Sequence, residues 1–251
     1  MTEKLKCVII GYGYMGQIRY STALFNKKDI QIVGVYDTDN SKLKKTLDKK
    51  LIIKSYKDIF NLNFDIAFVC TPNNVTSKIV IDCLRKNKHV FCEKPPSINS
   101  KEMKKVIAAE KKTSKVLKYG FNHRYHGSIQ LAKKYIDSKK LGRILNIRGL
   151  YGKSKIVTYG KSEWRSKKKF AGGGILIDQG IHVLDLLRFF NGDFKEFKSF
   201  VSNKFWKYDI EDNAFALLRD SKGVIAFIHS TATQWQHRFR MEITLKRALL
   251  E

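Results

Sequence analysis

The run Val8-Ile9-Ile10-Gly11-Tyr12-Gly13-Tyr14-Met15-Gly16 constrains this chain more than any other stretch. An apolar strand runs straight into a G-x-G-x-x-G turn, and a helix-competent segment follows. That order brings backbone N–H groups and a helix N-terminus up to a pyrophosphate. The glycines have separate tasks. Gly11 permits the tight turn out of the strand, Gly13 lets a dinucleotide approach the backbone, and Gly16 lets the first helix pack on the strand. Tyr14 and Met15 complete the turn and belong to the same cofactor-binding set. A second apolar run, Ile30 to Tyr36, ends at Asp37, 21 residues after Gly16. A carboxylate there accepts hydrogen bonds from an adenosine ribose 2′-OH and repels a 2′-phosphate, so NAD is favoured over NADP. The bland reading of Asp37 is the start of a turn, since Asp-Thr-Asp-Asn is turn-like.

The first half of the chain alternates strand and helix patterns. Strands read at 6–10, 30–36, 64–70 and 89–92, with helical segments near 15–26, 41–50, 75–87 and 100–113. Val116 to Phe121 reads as one more strand. Strands spaced by helices imply a doubly wound parallel sheet. After about residue 121 the pattern changes. A helix over 127–138 precedes β-rich stretches at 143–151, 195–206, 212–219, 223–231 and 237–245, interrupted by a helix over roughly 175–190. Hairpin-like turns join the last strands in succession, notably at Asp220-Ser221-Lys222-Gly223. The second half therefore reads as an α+β domain with an open, mostly antiparallel sheet. The expected domains are 1–121, dinucleotide-binding, and 122–251, for substrate binding and oligomerisation.

Three further clusters carry chemistry. Thr71-Pro72-Asn73-Asn74 follows the third strand, where ligands of a doubly wound sheet bind. These residues suit a nucleotide ribose or nicotinamide, and an N-capping Asn is the structural alternative. Glu93-Lys94-Pro95-Pro96 follows the fourth strand at the same sheet edge. A lysine partly desolvated beside a cofactor hydrogen-bonds a substrate hydroxyl and stabilises a developing alkoxide. An X-Pro bond here is a candidate for the cis isomer. The third cluster runs from Gly172-Gly173-Gly174 through Asp178 and His182 to Asp185. Asp178 and His182 are spaced i,i+4, on one face of a helix. A carboxylate beside an imidazole sets its tautomer and raises its basicity, so His182 could take a hydroxyl proton as hydride leaves the same carbon. The alternative is a buried Asp–His pair that holds the helix to the sheet; Asp185 reads as structural.

Composition bounds the rest. A chain of 251 residues supports two domains. No apolar run approaches the roughly 20 residues of a membrane span, and the N-terminal strand is too short for a secretory h-region. Cys7, Cys70, Cys83 and Cys92 form no C-x-x-C pair, which fits free thiols in a reducing cytoplasm and no metal site. The net charge is +26, yet its lysines are scattered and their short clusters lack interleaved aromatics. Attraction of an anionic substrate or cofactor fits better than nucleic-acid or membrane binding.

Taken together, G-x-G-x-x-G, T-P-N, E-K-P and G-G-G-x-L-x-D-x-G-x-H-x-x-D resemble, in order and spacing, the motifs of the Gfo/Idh/MocA oxidoreductases, over the whole chain. The resemblance implies a Rossmann domain followed by an α/β domain whose open sheet commonly mediates oligomerisation, here a homodimer or homotetramer. It implies that Lys94, Asp178 and His182 are the catalytic set and contact substrate. Phe121-Asn122-His123-Arg124-Tyr125 resembles the family's linking segment beside the active site, which makes Arg124 and Tyr125 substrate contacts. Trp164-Arg165 resembles the family's W-R pair near the cofactor, and Glu93 joins the cofactor set with Lys94. Two departures stand out: Thr76 occupies a position where the family often has His, and the pattern stops near Met241 to Leu245, short of the usual last strands. The expected activity is NAD-dependent hydride transfer at a secondary alcohol of a sugar, sugar nucleotide or cyclitol. The alternatives are a cofactor-binding fragment with impaired catalysis, and a lyase or hydrolase that recycles its NAD.

Overall fold

The computed structural model describes residues 3–154 and 163–251, which form two compact units, Met1–Gly120 and Phe121–Glu251. In the first unit the chain runs β1 (Leu5–Ile10), α1 (Tyr14–Phe25), β2 (Ile30–Tyr36), α2 (Asn40–Thr46), β3 (Ile66–Val69), α3 (Asn73–Arg85), β4 (His89–Cys92), α4 (Ser100–Glu110) and β5 (Leu117–Tyr119). All pairings are parallel, in the order β2-β1-β3-β4-β5. Parallel strands are covered on both faces, and Cys7 to Ile10 of β1 are accordingly fully buried. Val8 and Ile10 join one apolar cluster and Ile9 another, so the strand's alternation divides it between two cores.

One strand escaped the sequence reading. Ile52 forms a parallel bridge with Val35, and the Ile53 N–H donates to the Val35 carbonyl at 2.9 Å. Counting that rudimentary strand outside β2 gives the six-strand order 3-2-1-4-5-6 of dinucleotide-binding domains. It is too short to show a period-2 pattern. The strand order reverses between β1 and β3, so the loops after these strands border the crevice where such sheets take ligands.

The second unit contains α5 (Gly127–Asp137), β6 (Ile144–Ser154), α6 (Ile181–Asn191), β7 (Glu196–Ser202), β8 (Asn213–Arg219), β9 (Ile225–Gln234), β10 (Arg238–Leu245) and β11 (Leu249–Leu250). Its sheet runs β11-β10-β6-β9-β8-β7. Helices α5 and α6 cover one face through Ile129, Val183, Leu186, Leu187 and Phe190, packed on Ile147, Ile228, Met241 and Ile243. Gly149 allows the close approach, since a Cβ there would lie 2.3 Å from Val183 Cγ1.

Two expectations are corrected here. Strands β8 and β9 form the hairpin turning at Asp220 to Gly223, but β9 and β10 do not pair. β6 lies between them, parallel to β9 and antiparallel to β10. The residues between β9 and β10 suffice, because stepping over one strand needs only about 10 Å. The helix expected over 175–190 is also not uniform: Leu176–Gly180 is a π turn leading into α6. Asp178 lies in the π turn and His182 in α6, so α-helical i,i+4 geometry does not describe the pair. Residues Lys168–Asn191 meet the length and hydropathy of a membrane span, with a mean hydropathy of 1.2 over the best window. The stretch is broken by the glycine loop and the π turn, and Ile175, Val183, Leu186 and Leu187 are fully buried in this unit.

Candidate active site

In the first unit, the glycine turn is shaped by contacts that exclude side chains. Gly11 has φ +92°, and a Cβ there would meet the Cys70 carbonyl oxygen at 2.6 Å. At Gly16 a Cβ would fall 2.0 Å from the Gly11 carbonyl oxygen, so helix α1 starts directly against the end of β1. Gly13 is the reverse case: a Cβ would meet nothing within 4 Å, so the backbone there borders open space. Gly13 is also the N-cap of α1, with no side-chain cap and no acid in the first turn. Its helix terminus therefore keeps its positive end for an anion. Tyr14 is exposed and Met15 half-buried on that first turn.

Asp37 closes the other side of the turn. Its Oδ2 accepts the Tyr12 N–H at 2.6 Å and its Oδ1 accepts the Asp39 N–H at 2.8 Å. A carboxylate offers about four lone-pair positions, so capacity for a ribose diol remains. The open backbone at Gly13, the uncapped helix and this carboxylate fit a dinucleotide.

Thr71 begins the loop after β3. Pro72 is the N-cap of α3 and offers no side-chain acceptor, while Asn73 and Asn74 are its first helical residues, so the N-capping Asn alternative is not realised. Thr76 sits where the family often has His. Its hydroxyl bonds the Thr71 hydroxyl at 3.0 Å and donates to the Pro72 carbonyl at 3.0 Å, which ties the loop to its own helix. Cys70 lies beneath, and burial pushes its thiol up to about 12.

Lys94 follows β4, half-buried, and the Lys94–Pro95 bond is cis. Glu93, 9% exposed, is held by Arg19 of α1, whose Nε and Nη2 both donate to its Oε1, at 2.8 and 2.6 Å. Arg19 also lies over the Phe91 ring, 4.8 Å from its centroid. The sequence reading missed Arg19, because in a chain this basic a single arginine carries no signal.

In the second unit, the glycine loop is anchored from 35 or more residues away. Glu211 accepts the Gly174 N–H at 2.8 Å and the Leu176 N–H at 3.1 Å, one on each carboxylate oxygen. A Cβ on Gly174 would lie 1.9 Å from the Glu211 backbone oxygen. A carboxylate at the start of a helical segment satisfies orphan N–H groups and complements the dipole. Asp178 accepts from Gln179 Nε2 at 3.1 Å and lies 3.7 Å from Arg165 Nε. Arg165 in turn covers the Trp164 ring at 4.4 Å. The W-R pair is thus placed next to Asp178.

His182, 4% exposed, packs against His123, with ring centroids 4.0 Å apart and the planes tilted by 35°. Phe121 meets it edge-on at 6.2 Å and Tyr151 lies 6.1 Å away. Burial first, and then the nearby Asp178 charge, push the Tyr151 hydroxyl upward. His123 was quoted in the sequence only as part of a segment; its contact with His182 is not encoded in any local spacing. Arg124 makes a two-pronged bond to Asp185, Nε to Oδ2 at 2.7 Å and Nη2 to Oδ1 at 2.5 Å. This ties the 122–125 turn to α6 and gives Asp185 the structural task expected of it. Tyr125 is 63% exposed.

These arrangements agree with the similarities to known proteins. Residues 5–121 match the family described as "Oxidoreductase family, NAD-binding Rossmann fold", and residues 129–251 match "GFO/IDH/MocA C-terminal domain". The chain belongs to the Gfo/Idh/MocA oxidoreductases. Its first unit is an NAD-binding Rossmann domain. It is 28% identical over 234 residues to myo-inositol 2-dehydrogenase of Thermotoga maritima, covering 89% of this chain and 67% of that protein. It is 32% identical over 196 residues to glucose-6-phosphate 3-dehydrogenase of Bacillus subtilis, covering 75% of this chain and 55% of that one. The fold matches a levoglucosan dehydrogenase solved with NADH and levoglucosan, at a TM-score of 0.90 and 23% identity, over 97% of this chain and 72% of that one. The chain therefore spans between about half and three quarters of these relatives' lengths.

Proposed function

We propose that this protein is an NAD-dependent dehydrogenase acting on a secondary alcohol of a sugar, sugar nucleotide or cyclitol. The observation that carries the reading is the glycine turn, open at Gly13 and closed by Asp37, within a family of oxidoreductases. Gly11, Gly13 and Gly16, with the N–H groups of Tyr14 and Met15, would hold the pyrophosphate. Asp37 would take the adenosine ribose, which favours NAD over NADP. Thr71 to Asn74, Glu93, Trp164 and Arg165 complete the cofactor set. Bound nicotinamide supplies the hydride acceptor or donor.

The chain's own residues handle the substrate oxygen. Lys94 Nζ donates to it and stabilises the charge that develops there. His182 takes the hydroxyl proton; its Nδ1 is sealed from solvent, so proton transfer is assigned to Nε2. Asp178 orients His182, and the Arg124–Asp185 pair fixes the turn that brings His123 to His182, with Tyr125 offered to the substrate. A substrate phosphate or nucleotide would be drawn by the +26 charge.

Among the described residues, the face of the second unit's sheet opposite α5 and α6 carries exposed aromatic and aliphatic side chains, which supports self-association. Phe200, Leu217, Phe215 and Phe227 share that face through the β7–β8–β9 register and are 80, 52, 37 and 37% exposed. A homodimer or homotetramer through this face is the expected assembly, read by light scattering.

The test is the absorbance of reduced nicotinamide when NAD is mixed with myo-inositol, glucose 6-phosphate, levoglucosan and UDP-sugars. Reduction with at least one class supports the reading. Tight NAD binding without reduction by any of them would reject the substrate class.

A further inference from the structure

We propose that Arg19 is a positioning residue that links the pyrophosphate-binding helix to the turn carrying Lys94. The proposal rests on the cofactor reading above and extends it to a residue outside the motifs. Arg19 lies three residues beyond Gly16, in the second turn of α1. Its guanidinium crosses from β1's helix, past β3, to the end of β4. There both donors converge on the single oxygen Oε1 of Glu93, the residue before Lys94. The pair is secluded, with side-chain exposures of 19% for Arg19 and 11% for Glu93.

Three contacts make this link stiff. The guanidinium packs over Phe91, two residues before Glu93, so both ends of the strand terminus are gripped. The other carboxylate oxygen, Oε2, would lie 2.9 Å from a Cβ on Gly120, so Glu93 is wedged against the chain at the end of the unit. The Glu93 N–H donates to Val69 at 2.9 Å, which fixes its backbone to β3. On the helix side, Gly16 seats α1 against the Gly11 carbonyl, which leaves the helix no slack along the strand. The start of α1, Arg19, Glu93 and the turn carrying Lys94 therefore behave as one stiff unit, and the ordering of α1 by an anion at its N-terminus is passed through Arg19 to Glu93 and on to Lys94. Arginine suits this role because its charge is permanent and its planar fork is pre-organised.

Hydrogen–deuterium exchange with and without saturating NAD reads the link without relying on turnover. In the wild type, NAD protects the segment 11–19 and also 93–99. Arg19→Met keeps protection of 11–19 but loses most of it at 93–99, and NAD affinity weakens about fivefold or more. Glu93→Gln gives the same pattern. Arg19→Lys, which keeps the charge but loses the fork, restores it in part. The double variant Arg19→Met/Glu93→Gln removes the buried lone carboxylate and serves if the single variant fails to fold. The inference is overturned if these variants keep wild-type protection at 93–99 while only the melting temperature falls, which would make the pair purely structural. Absence of NAD protection at 11–19 in the wild type would instead reject the cofactor reading itself, so the two failures are distinguishable.

Discussion

The glycine turn of the first unit and the Asp178–His182 region of the second hold their chemistry with different emphasis, although backbone crowds a glycine in each, Gly16 in the first and Gly174 in the second. In the first, the glycine turn is shaped by backbone against backbone. Gly16 has no room for a Cβ beside Gly11, and Gly11 has none beside Cys70. In the second, His182 and Asp178 are held by side chains from distant parts of the chain. Glu211 ties down the glycine loop, Arg165 meets Asp178, and His123 packs against His182. Backbone-held geometry is insensitive to the identity of most side chains but intolerant of any added atom at a few positions. Side-chain-held geometry spreads the task over many residues, each replaceable at moderate cost. A family whose members include inositol, levoglucosan and glucoside dehydrogenases gains from that division, since the second kind of site can be retuned residue by residue.

The comparison can be broken by mutation, and the largest effects fall on the proton and the oxyanion. Lys94→Ala and His182→Ala each lower kcat about 10²–10⁴-fold, with NAD affinity in His182→Ala within threefold of wild type by calorimetry. Next comes a matched pair of glycines. Gly16→Ala places a Cβ against a backbone oxygen and costs about 3 kcal/mol, with NAD binding lost. Gly174→Ala is equally crowded, by the Glu211 oxygen, yet leaves NAD binding intact while lowering kcat. If Gly16→Ala left NAD binding unchanged, the assignment of cofactor binding to the first unit's turn would be wrong. Urea unfolding and calorimetry on both variants read the difference.

Smaller effects sharpen the contrast. Glu211→Gln turns an amide N–H toward one of two backbone donors and destabilises by about 1–2 kcal/mol, measured as a shifted urea midpoint. Thr76→Val removes hydroxyl bonds to Thr71 and Pro72 and costs about 1 kcal/mol, with kcat unchanged. The smallest effect concerns His229, stacked on Phe215 at 4.2 Å on the sheet face opposite α5 and α6. Burial holds its imidazole below the ordinary value, so the unfolded chain binds the proton more readily. The stability it supports is present above about pH 6.5 and is lost as pH falls below that. His229→Phe therefore flattens the melting temperature between pH 7 and 5.

The first unit was largely legible in the sequence because its devices are local. A strand, a glycine turn and an acid 21 residues on need no long-range contact to be recognised. What escaped was set by partners far away in the chain. Ile52 counts as a strand only because Val35 accepts from its neighbour. Arg19 matters only because its side chain reaches past β3 to the end of β4. In the second unit, helix and strand positions were readable from periodicity, but the insertion of β6 between β9 and β10 was not, since chain adjacency favours a hairpin. The π turn at Leu176–Gly180 carries no composition cue, so the relation of Asp178 to His182 could be guessed only as α-helical.

The most direct test of the central claim is a single-turnover mix of NAD-loaded protein with the panel of cyclitols and sugars, followed at the reduced-nicotinamide band. The account predicts a rise in absorbance for wild type with at least one substrate class, and a rate about 10²–10⁴-fold lower for His182→Ala. An equal rate in His182→Ala, or no reduction by a wild type shown to hold NAD, would contradict it.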